Sequence, residues 1–347
     1  MIRKATILAT LLLIILCTAT CHRGTTTNGS AKMHITGTAQ GTYYNITYYD
    51  PQGRDLKPLV DSVLHQFDLT ASLWQEGSLI RRLNSNLTDT LNPLMDTMLR
   101  HSLLMWRLTD GAFDITVGNL VGAWGFGFKE RSNMTAAIVD SLLALTGSQH
   151  LAVDTMRGGV ARLVKDNSAT EIDLNAIAQG ESVDLLDRLF ASMGLSDYLI
   201  DIGGEVLARG TKSGGEPWAV GIERPAPDKE SRQEVEVAVG LSNLSVVTSG
   251  NYRKYYEVDG TKYSHTIDPA TGRPVNHSLL SASVIDRYAW RADALATAFM
   301  VMGLERGLQF IADHPDQECL QAVFFIYNEG GEYKCLATPK FKQYIID

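Results

Sequence analysis

Strand-forming segments follow one another between Tyr198 and Ile285, and this succession constrains the fold more than any other feature. Tyr198 to Ala208 reads as a strand interrupted by Gly203-Gly204. Trp218 to Ile222, Val235 to Val239, Leu244 to Val247, Tyr255 to Val258, Tyr263 to Ile267 and Ser281 to Ile285 continue it. Helical periodicity lies on either side. Leu56, Leu59, Val60, Val63, Leu64 and Phe67 give Asp55 to Ala71 one apolar face, and Leu94 to Leu108, Thr135 to Leu145, Leu174 to Met193 and Arg291 to Met302 read likewise, with Gly307 to Ala312 as the tail of another helix. Helices mixed with hairpin-connected strands favour an α+β fold with mixed, largely antiparallel sheets over a doubly wound parallel sheet.

Other segments are shorter. Gly37 to Tyr49 alternates as a single strand, ended by the turn Asp50-Pro51-Gln52-Gly53, and Leu151 to Val153 and Ala161 to Val164 also read as strands. Gly111, Gly118, Gly122, Gly125 and Gly127 interrupt Thr109 to Phe128 too often for a helix interior, which predicts a loop with short extended pieces. Leu320 to Tyr327 and Tyr333 to Ala337 form a hairpin flanked by Cys319 and Cys335; the pair is either a disulfide or two free buried thiols.

The amino terminus reads as a targeting segment. Arg3 and Lys4 precede an apolar run from Ala5 to Leu16, shorter than the ~20 residues that span a bilayer. Thr18-Ala19-Thr20-Cys21 has the arrangement of a bacterial lipoprotein cleavage site, with Thr18 where an aliphatic residue is usual. Lipidation of Cys21 therefore ranks ahead of simple secretion and of an uncleaved anchor. Residues 1–20 are then a signal peptide, 21–32 a polar tether and 33–347 the folded domain, exported and held at the membrane, inner-membrane and facing the periplasm. With 31 Lys and Arg against 39 Asp and Glu, a formal charge of −8 and no long basic run, nucleic acid is excluded as a partner.

Several residues are candidates for chemistry. Asp293 and Thr297, four apart in a helical segment, face one direction and together offer the hard oxygen ligands that Mg²⁺ takes. The plainer alternative is a capping Asp and a Thr bonded to its own helix. Asp173 follows the strand-like Thr170-Glu171-Ile172 at the start of the Leu174 helix; it either caps that helix or faces a polar ligand there, with Ala176 offering a carbonyl. His265, at a strand end between Ser264 and Thr266, has the titration range of a proton relay, though a lone histidine is more often structural. Thr248 to Tyr252 and Thr109 to Asp114 are ligand-holding turns or plain loops. Trp74 is core or a stacking platform, with core the default.

Taken together, Gly41-Thr42-Tyr43, Gly77-Ser78 with Asn84, Gly111 to Gly127, Asp173 to Asp184, Gly203-Gly204, Thr248 to Tyr252, Ser264 to Pro274 and Ala292 to Thr297 resemble the ApbE family of FAD:protein FMN transferases, in that family's order. The resemblance covers nearly all of the chain after the tether. It implies the family's α+β fold and lipoprotein form, and a metal site, Mg²⁺ or alternatively Mn²⁺, made by Asp293 and Thr297 side chains with backbone oxygens of Ala176 and Ala296. It also implies FAD contacts at Gln40, Trp74, Ala112, Phe113, Asp114, Asp173, Gln179 and Ile267. Gln40 stands where Met is common, and Gln179 where Lys or Glu is usual.

The activity so implied cleaves FAD, attaches FMN to a Thr or Ser of a partner and releases AMP, with Asp293 and His265 as the catalytic candidates. Implied acceptors are flavin-carrying subunits of membrane electron-transfer complexes of the Nqr (sodium-pumping NADH:quinone oxidoreductase) and Rnf types. Two rivals share the site: a metal-dependent FAD pyrophosphatase and a non-catalytic FAD-binding lipoprotein.

Overall fold

The computed structural model describes residues 30–127, 132–155, 159–225, 234–251, 255–258 and 261–346, of which 255–258 and 261–263 by their backbone. Strands β1 (Ala31–Ala39) and β2 (Thr42–Asp50) pair antiparallel with Ala39 opposite Thr42. The expected single strand from Gly37 to Tyr49 is therefore a hairpin. Its two turn residues, Gln40 and Gly41, have φ of 54° and 72°, the left-handed backbone that a two-residue turn needs. Aromatic alternation continues on both sides of the turn and hides it in the sequence.

Helices α1 (Lys57–Ala71), α2 (Leu79–Asn84) and α3 (Pro93–Leu108) come next, at or within two residues of the expected bounds for α1 and α3. The described part of the glycine-rich stretch, residues 109–127, departs from expectation, because its centre is helical where extended pieces were predicted: a 3₁₀ turn at Ile115–Val117 runs into α4 (Gly118–Ala123), and Phe128 lies outside the described residues. Asp114 caps that turn through the Thr116 N–H. Gly118 is needed for packing, since a Cβ there would lie 2.7 Å from the Glu171 carbonyl oxygen. Helix α5 (Ala136–Leu143) and the two-stranded β3 (Leu151–Thr155) and β4 (Ala161–Lys165) follow.

Helix α6 (Ala178–Ser192) starts four residues later than the sequence predicts. Asp173 accepts the Asn175 N–H at 2.8 Å, and the turn from Leu174 to Ile177 competes with the helix for the same amides. Asp173 is thus the anchor of a turn and not the N-cap of α6.

The remaining strands are β5 (Tyr198–Ile202), β6 (Glu205–Arg209), β7 (Trp218–Glu223), β8 (Val235–Leu241), β9 (Leu244–Gly250), β10 (Tyr255–Val258), β11 (Thr261–Ser264), β12 (Ile267–Asp268), β13 (Arg273–Pro274), β14 (Leu279–Asp286), β15 (Val323–Glu329), β16 (Glu332–Ala337) and β17 (Ile345–Ile346). Between β14 and β15 lies α7 (Ala289–Asp313), broken at Gly303 (φ 75°), as the two helical segments in the sequence imply.

The main sheet has eight strands in the order β1-β2-β5-β6-β9-β14-β15-β16, every neighbouring pair antiparallel. Both faces are covered. Val247, Val284 and Phe325 point to the helices, where α7 packs across β9 and β14; their neighbours Val246, Ile285 and Phe324 point to the three-stranded sheet β17-β8-β7. Adjacent residues on opposite faces, all apolar, are what a doubly covered sheet requires. Cys319 is buried and Cys335 exposed, both as free thiols, so the disulfide alternative does not hold. Strand pairing sets Cys335 opposite Ile326, and its thiol points to Glu236 Oε1 at 3.3 Å.

Candidate functional site

The site is built where α6 and α7 cross. Gly180 permits the crossing, since a Cβ there would lie 2.5 Å from the Ala289 carbonyl oxygen. Asp184, one turn further along α6, accepts the Trp290 N–H at 2.9 Å and so satisfies the first turn of α7 from outside. Burial pushes the Asp184 carboxyl up to about 7.

Asp293 and Thr297 sit one turn apart on α7. Asp293 is buried, and its Oδ2 accepts the Gly180 N–H at 3.0 Å. Burial, reinforced by the charge of Glu181, raises its carboxyl to about 7. The groups acting on it include no cation among the described residues. Thr297 Oγ1 lies 3.2 Å from Ser249 Oγ at the end of β9. Ala296 is fully buried beside them. The Gly180 amide, which a longer helix would direct to the Ala176 carbonyl, donates to Asp293, while the amides on either side keep the helical pattern, Ala178 N–H to Leu174 and Glu181 N–H to Ile177. Ala176 therefore has its oxygen outside the ladder. A buried carboxylate without a counter-cation, a hydroxyl one turn on and a carbonyl left out of the ladder together fit a hard divalent ion.

Asp173 is buried, and burial raises its carboxyl. Its N–H donates to the Ile115 carbonyl at 2.7 Å, which ties it to the segment that follows Ala112, Phe113 and Asp114. Two of these side chains are engaged inside the fold. The Asp114 carboxylate accepts three bonds at Oδ1, from Thr116 N and Oγ1 and Ser148 Oγ, and one at Oδ2, from Ser148 N, at 2.6–2.9 Å. Phe113 lies in the main core cluster. The strand-like approach to Asp173 has asparagines in place of a partner strand. Asn84 exchanges two 2.8 Å bonds with the Ile172 backbone, and Asn119 Oδ1 accepts the Glu171 N–H at 2.8 Å.

Gln179 and the Gln40 turn converge on Gly203, where a Cβ would meet Gln179 Nε2 at 2.5 Å and the Thr42 methyl at 2.7 Å. On the β9 side, Asn251 Oδ1 accepts both Ser264 Oγ at 2.6 Å and Thr266 Oγ1 at 2.8 Å, which holds the chain around His265. The His265 ring lies edge-on to Phe126 at 6.5 Å. Ile267 is buried with Leu120, Trp124 and Val139. Trp74 is 66% exposed, so it is not core.

Two residues that the sequence did not single out belong to this region. His101 of α3 bonds Glu181 Oε1 and stacks on Trp290 with ring centroids 3.9 Å apart. They are 80 residues apart in the chain, and neither forms part of a recognisable spacing.

The sequence matches the ApbE family over residues 40–321. It is 35% identical over 323 residues to an FAD:protein FMN transferase of Vibrio cholerae, spanning 90% of this chain and 93% of that one. Identity to the FAD:protein FMN transferase of Escherichia coli K12 is also 35%, over 330 residues and 91% and 92% of the two chains. Among solved structures, the flavin transferase ApbE from Vibrio cholerae superposes with a TM-score of 0.77 at 33% identity, over 91% of this chain and 99% of that one. The apo form of the Pseudomonas stutzeri flavinyl transferase ApbE gives 0.78 at 33% identity, over 91% and 97%.

Proposed function

The chain belongs to the ApbE family, and from that premise we propose that it is an FAD:protein FMN transferase acting with a divalent metal at the crossing of α6 and α7. The observation that carries the reading is the Asp293 carboxylate, buried on α7 and reached by the Gly180 N–H, with Thr297 one turn on. Asp293, Thr297 and the backbone oxygens of Ala176 and Ala296 would hold the metal. When bound there, Mg²⁺ or Mn²⁺ would supply charge neutralisation at the FAD diphosphate.

The chain's own residues supply placement. An oxygen of a Thr or Ser hydroxyl on the acceptor forms a bond to the FMN phosphorus, the bond from that phosphorus to the bridging oxygen breaks, and AMP leaves with the electron pair. The hydroxyl proton passes to a base. His265 is assigned that role, because Asn251 fixes the residues on either side of it. Exposed Trp74 is suited to stacking on a flat ring of FAD. For Asp114 and Phe113, whose side chains are engaged inside the fold, backbone groups are the contacts left to offer.

Residues 1–29 lie outside the described structure. The lipid on Cys21 and the periplasm-facing membrane location are proposed from the leader alone. Acceptors are proposed to be flavin-carrying subunits of Nqr- and Rnf-type complexes, where a tether on the same surface raises the encounter frequency.

The test is to incubate the protein with FAD, Mg²⁺ and a candidate acceptor and to weigh the products. Acceptor heavier by one FMN, with AMP released and EDTA abolishing both, is the expected result. Free FMN with unmodified acceptor would make the protein a pyrophosphatase, and unchanged FAD would make it a binding protein.

A further inference from the structure

Gln40 occupies the first of the two turn positions between β1 and β2 with φ 54°. Glycine and asparagine take that conformation more readily, so glutamine is held there at a conformational cost. A second cost is attached to the side chain. Both amide atoms, Oε1 and Nε2, are buried and lack any hydrogen-bond partner among the described residues, and so does Asp68 Oδ1. Buried amides are nearly always bonded, and one with neither donor nor acceptor used marks a missing partner.

The turn adjoins the site. Thr42, two residues on, packs against Gly203 together with the Gln179 amide, and Gly180 next to it holds Asp293. The partner that an amide recognises best carries a donor and an acceptor side by side. Both ends of FAD have such an edge: the amino group and N1 of adenine, and N3–H with a neighbouring carbonyl on the flavin.

We propose that Gln40 is a specificity-determining residue that reads one heterocycle edge of the dinucleotide with a paired donor and acceptor. The inference rests on FAD being the substrate, as proposed above. Desolvation favours it. An amide in water gives up bonds to make new ones, whereas the Gln40 amide has none to give up, so turning it towards the ligand is a gain on the protein side.

The experiment measures equilibrium binding, without acceptor, of FAD and two blocked analogues, one with N6,N6-dimethyladenine and one with N3-methylflavin. Wild-type protein and Gln40→Met are compared after thermal melts establish that both fold. Wild type should bind one of the two analogues about 5- to 100-fold more weakly than FAD. Gln40→Met should bind FAD and that analogue alike. The analogue that is rejected identifies the half of FAD in contact. Equal selectivity in both proteins, or no discrimination by wild type, overturns the inference while leaving the transferase reading intact. Wild-type protein that binds neither FAD nor an analogue overturns both. If Gln40→Met fails to fold, Gln40→Glu, which keeps the shape and removes the donor, serves with the same criteria.

Discussion

The amide of Gly180 donates to Asp293 Oδ2 at 3.0 Å across the α6–α7 crossing. One bond thereby does two things. It orients a carboxylate that has no cation beside it, and it releases the Ala176 carbonyl from the helix that follows. The two protein elements of the proposed metal site are coupled through a glycine that neither helix could replace with a larger residue.

Asp293→Ala should lower FMN transfer by at least about 10²–10³-fold, the loss typical of removing a preorganised electrostatic group. Stability should hold or rise in metal-free protein, because a buried unpaired carboxylate is removed. In-gel flavin fluorescence of the acceptor and a thermal melt check the two halves. Transfer retained in this variant would remove Asp293 from the metal site.

Gly180→Ala should destabilise by about 2–3 kcal/mol, although alanine normally strengthens a helix by about 1 kcal/mol. The sign reverses because the new methyl meets the Ala289 carbonyl oxygen at 2.5 Å and Trp290 Cα at 2.7 Å, backbone atoms that cannot turn away. Urea unfolding measures it. An unchanged or higher midpoint would contradict the close crossing.

The pH dependence of stability follows from Asp184 and Asp293, both pushed by burial from 3.8 up to about 7. Between those values the folded protein keeps protons that the unfolded chain releases, so stability falls as pH rises through the window and levels off above about 7. Asp50 has the opposite sign, with Arg54 holding it down to about 2, but its window ends at 3.8. Metal-free protein should therefore melt roughly 5 °C or more higher at pH 5 than at pH 8. Asp184→Asn should remove about half of the difference. Melts in EDTA that show Tm rising from pH 5 to pH 8 would refute the assignment.

Trp74→Ala should leave stability within about 0.5 kcal/mol, since the ring is exposed, and weaken FAD binding by about 1–3 kcal/mol. His265→Ala has the opposite signature: FAD held as before and transfer slowed by about 10²-fold. Titration of FAD fluorescence set beside single-turnover transfer separates them, and either variant behaving as wild type in both assays dismisses its residue.

Most of the helices could be read directly. Leu64 and Phe67 on α1, or Met95, Met98 and Leu99 on α3, are buried at the helical spacing that marks them in the chain. The pairing of Asp293 with Thr297 was legible for the same reason, because a helix turn lies within four residues. Errors arose where a short polar side chain or a positive φ outweighed the local pattern. Gln40 and Gly41 split an apparent strand, Asp114 wound a glycine-rich stretch into a 3₁₀ turn, and Asp173 delayed the start of α6.

Periodicity is a property of neighbouring residues and survives in the linear text, which is why fold class, helix positions and the α7 donor pair could be taken from it. Convergence is another matter. That Gly180 reaches Asp293, that Ser249 faces Thr297, that His101 bonds Glu181 and that Gln40 is left with a buried, unbonded amide all depend on elements distant in the chain being pressed together. Burial then sets the charge state of the carboxylates, and burial exists only once the layers have packed.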